Sequence, residues 1–373
     1  MSVPSVEDGI AGGRLTIDLS ALRANYRTLL ARARSGECGA VVKANAYGLG
    51  VEAVVTTLLS EGCRTFFVAR ASEGIAVRHL APEARIYVFD GVHADTVQIM
   101  QNNGLEPVLG SEQQRALWAE AGQGAPCAVH VDTGMNRLGF RPDEFERAVG
   151  NGALNQLQVS LLMTHPACAD QPDHPMNGVQ RERFASARAL MPGVPASYCN
   201  SAALLGEGPT LDLSRPGIAL YGGEAIDGVP ALEPVVTLEA RIVQTREVHG
   251  GEAVGYGATW IADRRSVLAV CAIGYADGYP RAIGTGVPLR ETSRHSGWAA
   301  LGGYLVNIVG RVSMDLTIFD VTDVPDDIRR AHDHIELIGE TVPLDAAAIK
   351  AGTIGYELLT SLGSRYARMT IGA

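Results

Sequence analysis

Along the first two-thirds of the chain, short apolar runs alternate with stretches whose apolar residues recur every three or four positions. The runs ending in "VVKAN", "TFFVA", "RIYVF", "LEPVL", "AVHVD", "SLLMTH", "ASYCN" and "LDLSRPG" read as strands. The intervening "VEAVVTTLLSEG", "SEQQRALWAEAG" and "GVQRERFASARALM" read as helices, and an opening helix, "LSALRANYRTLLARAR", precedes the first strand. Its apolar positions Leu22, Tyr26, Leu29 and Leu30 fall on one face. Eight strands alternating with helices predict an α/β fold, a closed parallel (β/α)8 barrel rather than an open sheet. Near Leu232 the texture changes. "PVVTLEARIVQTREVHGGEAVGYGATW" and "SVLAVCAIGYADGYP" read as strands and turns without intervening helices. The predicted division is therefore a barrel over residues 1–235 and a mainly β C-terminal domain over 236–373, with "RETSRHSGWAALGG" as an exposed loop.

Composition narrows the picture by exclusion. A chain of 373 residues with 46% hydrophobic and 19% charged residues is globular and exceeds one ordinary core. Its formal net charge of -10 argues against nucleic acid or an anionic membrane surface as partner, since both need a basic face. Cys38, Cys63, Cys127, Cys168, Cys199 and Cys271 are scattered without a C-x-x-C pair and read as reduced core residues of a cytoplasmic protein. "MSVPSVEDGI" has neither a basic nor an apolar leader segment, and no apolar run approaches the ~20 residues of a membrane-spanning helix.

Chemistry concentrates at the strand ends. Lys43 ends the first predicted strand, Arg137 follows the fifth, His165 ends the sixth, Asn200 and Ser201 the seventh, and Arg215 the eighth. Barrels carry their sites at that rim. A lysine desolvated there can have a lowered pKa and form a Schiff base. Ser201 and the backbone amides of Gly217 and Ile218 fall where barrels commonly bind phosphate. Metal-ligating residue types occur in "THPACADQPDH" and "AHDHIELIGE", but the first reads as a solvated loop and the second as an exposed strand edge, so no metal is expected.

Seven stretches in this order, "AVVKANAYGLG", "DTGMNRLGF", "CNSAA", "SRPGIALYG", "VGYGATW", "IGYADGYPR" and "GRVSMD", resemble the alanine racemase family, pyridoxal phosphate enzymes of fold type III. The resemblance spans nearly the whole chain. It implies that Lys43 carries pyridoxal 5'-phosphate as an aldimine, with Tyr47, Ser201, Gly217 and Ile218 holding the phosphate. His165 would lie against the ring and Arg215 would face the pyridine nitrogen. Arg137 and the amide of Met314 would bind the substrate carboxylate. Tyr256, from the other subunit of a homodimer with shared active sites, would be the second base, and Tyr275 would narrow the entrance. The implied activity is interconversion of L- and D-alanine, a small-molecule reaction supplying D-alanine for peptidoglycan.

Two positions depart from the family pattern. His130 stands seven residues before Arg137, where many members have a lysine that can be carbamylated, leaving a bound anion or a direct imidazole contact as substitutes. Near the C-terminus, Ser364 aligns with a phosphate-reaching tyrosine and Tyr366 lies two residues on; neither is assigned. Three rivals remain: a racemase of the same fold for serine or a wider range of amino acids, a decarboxylase on a similar barrel, and a non-catalytic cofactor-binding protein, generally the barrel alone. Arg215 disfavours the decarboxylase, which would place an acid there. Tyr256 and the β domain disfavour the third.

Overall fold

The computed structural model describes residues 10–34, 36–206, 208–285 and 297–372. It separates into two compact units: Leu22–Leu232, and the described residues through Ala21 together with those from Glu233 onward. Strand β1 (Gly13–Asp18) belongs with the C-terminal part, pairing antiparallel with β11 (Val236–Val248) and parallel with β19 (Ala367–Ile371). This differs from the predicted barrel over 1–235. The six residues of β1 alternate buried and half-buried, as a sheet strand should, but both its partners lie more than 200 residues away. Nothing local marks that pairing.

The Leu22–Leu232 unit is built on parallel strands: β2 (Glu37–Cys38), β3 (Ala40–Val41), β4 (Thr65–Val68), β5 (Arg85–Val88), β6 (Glu106–Leu109), β7 (Pro126–His130), β8 (Gln158–Met163), β9 (Ala196–Ser197) and β10 (Leu213–Ser214). Strands β3 to β9 form one sheet in chain order, and β10 pairs with β2. The ring closes through β10. Arg215 N–H donates to the Cys199 carbonyl (2.8 Å), and Gly39 and Val41 N–H donate to the carbonyls of Ser214 and Pro216 (both 2.9 Å). Sequential parallel pairing leaves both faces of each strand covered, which is why "TFFV" and "EPVL" are buried throughout. The opening helix Leu19–Arg32 buries Leu22, Tyr26 and Leu29, whereas Leu30 is 39% exposed and lies off the buried face.

The other unit is mainly antiparallel. Its further strands are β12 (Ala253–Val254), β13 (Trp260–Ile261), β14 (Ser266–Cys271), β15 (Trp298–Leu301), β16 (Tyr304–Ile308), β17 (Thr317–Asp320) and β18 (His334–Ile338). The large sheet runs β14-β17-β16-β15-β18-β11-β1-β19, and a β14–β11 pairing joins the first of these back to the sixth. Two expectations change here. Residues 290–296 of the predicted loop lie outside the described residues, but Trp298–Leu301 form β15, hydrogen-bonded to β16 and β18. Strand β18, expected at an edge, is interior and pairs with both β11 and β15. His334 is accordingly buried, its Nδ1 lying 2.7 Å from Asp333 Oδ1 and 3.0 Å from Arg14 Nη2, with the tautomer deciding which of the two it bonds, and Glu336 accepts from the amides of Thr341 and Val342. Among the described residues, no helix is long and apolar enough to cross a membrane.

Candidate active site

Val41 and Val42 are buried, and the chain leaves β3 directly into Lys43. Ala44, Asn45, Ala46 and Tyr47 then adopt φ of 53–55° in succession. For residues with a side chain this left-handed backbone costs roughly 1–2 kcal/mol each, so it persists only where the surroundings fix it. Several bonds do so. Ala46 N–H donates to the Val42 carbonyl (2.9 Å), Gly48 N–H to the Ala44 carbonyl (2.8 Å), and Val51 N–H to Asn45 Oδ1 (2.8 Å). Glu73, in the first turn of the helix Ala71–Leu80, accepts from the Ala44 amide (2.7 Å) and, on its other oxygen, from those of Ala69 (2.8 Å) and Arg70 (3.2 Å). The Lys43 ammonium loses protons more readily than an ordinary lysine. Burial is the main cause and Arg137 adds to it, while Glu73 and Asp90 oppose.

Beyond β9 and β10 lies a group of donors. Asn200 caps the short helix Ser201–Leu205, its Oδ1 accepting from the Ala203 amide (2.9 Å). Ser201 Oγ accepts from the amides of Gly217 (2.8 Å) and Ala219 (3.3 Å). Gly217 is required sterically: a Cβ there would sit 2.3 Å from the Tyr47 hydroxyl. Tyr47 packs against Tyr221 with ring centroids 4.7 Å apart, and Tyr221 donates to the Val41 carbonyl (2.9 Å). Ile218, 1% exposed, opens the short turn Ile218–Tyr221.

Arg215 is 2% exposed. Its guanidinium donates to Ser197 Oγ, to the Thr164 carbonyl (2.6 Å) and to the Tyr198 carbonyl (3.4 Å), all neutral acceptors. Burial lowers its pKa to about 10, so it keeps its charge at neutral pH. His165 is held neutral, its pKa pushed well below the usual imidazole range by burial and then by Arg215, Arg137, His130 and Lys43.

Arg137 occupies the loop after β7. Asp132 Oδ1 accepts the amides of Gly134 (2.9 Å), Met135 (2.8 Å) and Asn136 (3.1 Å), folding that loop tightly and leaving Arg137 exposed. Among the described residues no side chain pairs with its guanidinium. His130 is buried, and its pKa falls to about 4 because of burial and then Arg215. The imidazole makes no hydrogen bond to Arg137. Being neutral, it also places no charge against it.

Several positioning groups went unread in the sequence. Gln180, 0% exposed, donates to Thr133 Oγ1 (3.0 Å) and the His165 carbonyl (3.1 Å) and accepts from the Ala167 amide (2.8 Å). Thr133 and Thr164 share a hydrogen bond (2.8 Å). These bonds tie the Arg137 loop to the His165 loop. Glu73, Ser197 and Gln180 sit in ordinary helix or strand positions. Only Glu73 had a local signal, an acid in the first turn of a helix.

The remaining predicted residues lie in the mainly β unit. Tyr256 begins a short turn between β12 and β13 and is 72% exposed. Tyr275 and Met314, 43% and 54% exposed, sit on adjacent loops joined by bonds from Tyr275 N–H to the Ser313 carbonyl (3.1 Å) and from Ala276 N–H to the Met314 carbonyl (3.0 Å). Tyr366 is buried, its hydroxyl bonded to the Asp277 carbonyl (2.7 Å), while Ser364 is exposed. The loop "THPACADQPDH" is organised by Asn177, which donates to the carbonyls of Cys168, Gln171 and Pro172. Among the described residues no three His, Cys, Asp or Glu side chains are grouped to hold a metal ion.

The parallel-sheet unit thus gathers a desolvated amine, a hydroxyl with backbone amides beside it, and a buried cation facing only neutral acceptors. That donor set fits pyridoxal phosphate, which presents an aldehyde, a phosphate and a ring nitrogen. Comparison with known proteins gives the same direction. Residues 17–225 match the family model "Alanine racemase, N-terminal domain", and residues 235–370 match "Alanine racemase, C-terminal domain". The chain is 46% identical to the biosynthetic alanine racemase of Agrobacterium fabrum, over 96% of this chain and 94% of that protein. It is 47% identical to the alanine racemase of Rhizobium meliloti, over 97% of each. A crystal structure of alanine racemase from Bartonella henselae with covalently bound pyridoxal phosphate superposes with a TM-score of 0.88 at 35% identity, covering 97% of this chain and all of that one.

Proposed function

The chain belongs to the alanine racemase family and is a pyridoxal phosphate-dependent isomerase; from that premise we propose how its own residues interconvert L- and D-alanine. When bound, the cofactor supplies an electron sink that acidifies the proton on the substrate's α-carbon. Lys43 would hold it covalently. Tyr47, Ser201 and the amides of Gly217 and Ile218 would hold its phosphate, and His165, a neutral imidazole, would lie against its ring. Arg215 would donate to the ring nitrogen and keep it unprotonated, because an arginine does not surrender its proton at working pH. That limits the sink and with it side reactions such as transamination.

Arg137 and the amide of Met314 of the partner subunit receive the substrate carboxylate. Lys43 moves the α-proton on the D-face, where its lowered pKa leaves more of the amine free to accept. Tyr256 of the partner subunit moves it on the L-face, so the substrate need not turn over. Tyr275 of the partner subunit narrows the entrance and favours a methyl side chain. The enzyme is a homodimer in the cytoplasm, and its D-alanine supplies peptidoglycan.

The observation that carries this reading is the set of groups at the strand ends of the parallel-sheet unit: Lys43 opening a left-handed turn, Ser201 Oγ beside the Gly217 amide (2.8 Å), and Arg215 buried against neutral acceptors such as the Thr164 carbonyl (2.6 Å). The test is an assay of the purified enzyme on alanine, serine and lysine. Alanine should turn over with the highest kcat/KM in both directions. Comparable kcat/KM for serine or lysine would replace the alanine reading with a broad-specificity racemase.

A further inference from the structure

We propose that Glu73 is a positioning residue for Lys43, gripping the Ala44 amide to hold the left-handed turn that aims the lysine at its cofactor. The inference rests on the reading of Lys43 as the attachment residue and adds a group outside that site. Glu73 lies 29 residues from Ala44, on a different element. Its two carboxylate oxygens do different work. Oε2 accepts from the Ala69 and Arg70 amides, which is how an acid in a first turn commonly caps its own helix. Oε1 accepts from Ala44, the first of four consecutive residues with φ of 53–55°. Capping alone does not account for that bond. It reaches the next loop in the ring of strands and lands immediately after Lys43.

The backbone it grips is one that residues with a Cβ avoid and that reverts unless held. A backbone amide donating to a carboxylate oxygen is among the stronger contacts available for this. Glu73 also lies close enough to Lys43 to favour the ammonium against burial, so the same carboxylate acts on the geometry and on the charge of the lysine. Ala44 is exposed, so its side chain offers no packing of its own to fix the turn.

The test uses full-length holoenzyme of wild type, Glu73→Ala, Glu73→Gln, Ala44→Gly and the doubles combining each Glu73 variant with Ala44→Gly. Cofactor dissociation is followed by competition, the attachment site is mapped after borohydride fixation, and Tm is measured in parallel. Glu73→Ala should weaken cofactor retention by about tenfold or more. Ala44→Gly should restore much of the loss, because glycine takes positive φ without penalty. Loss of a helix cap would lower Tm and would not be rescued by a glycine at 44. If Glu73→Ala does not fold, Glu73→Gln with and without Ala44→Gly makes the same comparison. Wild-type retention in the Glu73 variants, or a loss that Ala44→Gly leaves untouched, overturns the proposal. Fixation of the wild-type cofactor on another lysine overturns the reading of Lys43 instead.

Discussion

Arg215 and Tyr256 show how differently the two units present their chemistry. Arg215 is 2% exposed and held by three neutral acceptors, whereas Tyr256 is 72% exposed on a short turn. The contrast extends to their neighbours. In the parallel-sheet unit Lys43, Ser201 and His165 are fixed through Glu73, Gly217 and Gln180. In the mainly β unit the loops of Tyr275 and Met314 are tied by main-chain bonds and by Arg365 pairing with Asp277 and Asp315, while the Tyr275 and Met314 side chains are exposed. One unit holds its proposed site groups in place through buried hydrogen bonds. The other presents Tyr256, Tyr275 and Met314 exposed, which is the arrangement the proposed shared site calls for.

The sharpest way to break this contrast is to delete one base from each unit. Lys43→Ala should abolish covalent cofactor attachment and lower racemisation by about 10³-fold or more. Tyr256→Phe should cost about 10²–10⁴-fold in racemisation while the cofactor stays attached to Lys43. Solvent deuterium should still enter at the α-carbon of D-alanine, because Lys43 continues to serve its face. Equal loss of exchange and racemisation in Tyr256→Phe would mean the phenol acts through structure rather than proton transfer.

A smaller effect tests whether the two bases of one site come from different chains. Lys43→Ala and Tyr256→Phe homodimers should each be nearly inactive. After random subunit exchange, half the dimers are mixed, and each mixed dimer has one intact site and one doubly impaired site. Roughly a quarter of wild-type activity should return by two-fold symmetry. Verified exchange without recovery would remove the shared-site arrangement.

The smallest effect concerns the interior of the parallel-sheet unit. The pKa of His130 is about 4 in the folded chain, against an ordinary value of 6.5. As pH falls through 6.5 the unfolded chain takes up a proton that the folded chain refuses until about pH 4. The stability associated with neutral His130 is therefore full above pH 6.5 and is lost between there and pH 4, by about 3 kcal/mol in all. His165 shifts in the same direction. Urea unfolding of wild type and His130→Asn across pH 4–7 should give a shallower decline for the variant. Parallel slopes would show that His130 is not the group responsible.

Much of the parallel-sheet unit was legible because its signals are local. The eight apolar runs, their helical spacers and the placing of Lys43, His165, Ser201 and Arg215 at strand ends all follow from patterns a few residues long. The motifs of the β unit were legible as motifs, yet its strand pairing was not. Strand β15 follows a polar segment that masks it, and β18 carries His334 and Glu336, whose polarity reads as an edge although hydrogen bonds satisfy both inside the sheet.

By itself, then, the sequence determined the order of elements, the strand-end chemistry and the family motifs that carry it. Tertiary structure alone decided that β1 joins strands from the far end of the chain, that Leu30 lies off the buried face, and that His130 is neutral. It also decided that Glu73 bonds the Ala44 amide and that Gln180 joins the Thr133 and His165 loops. The physical reason is range. Helix and strand periodicity is set by neighbours along the chain, whereas burial, proton affinity and a hydrogen bond between distant loops depend on which residues folding brings together.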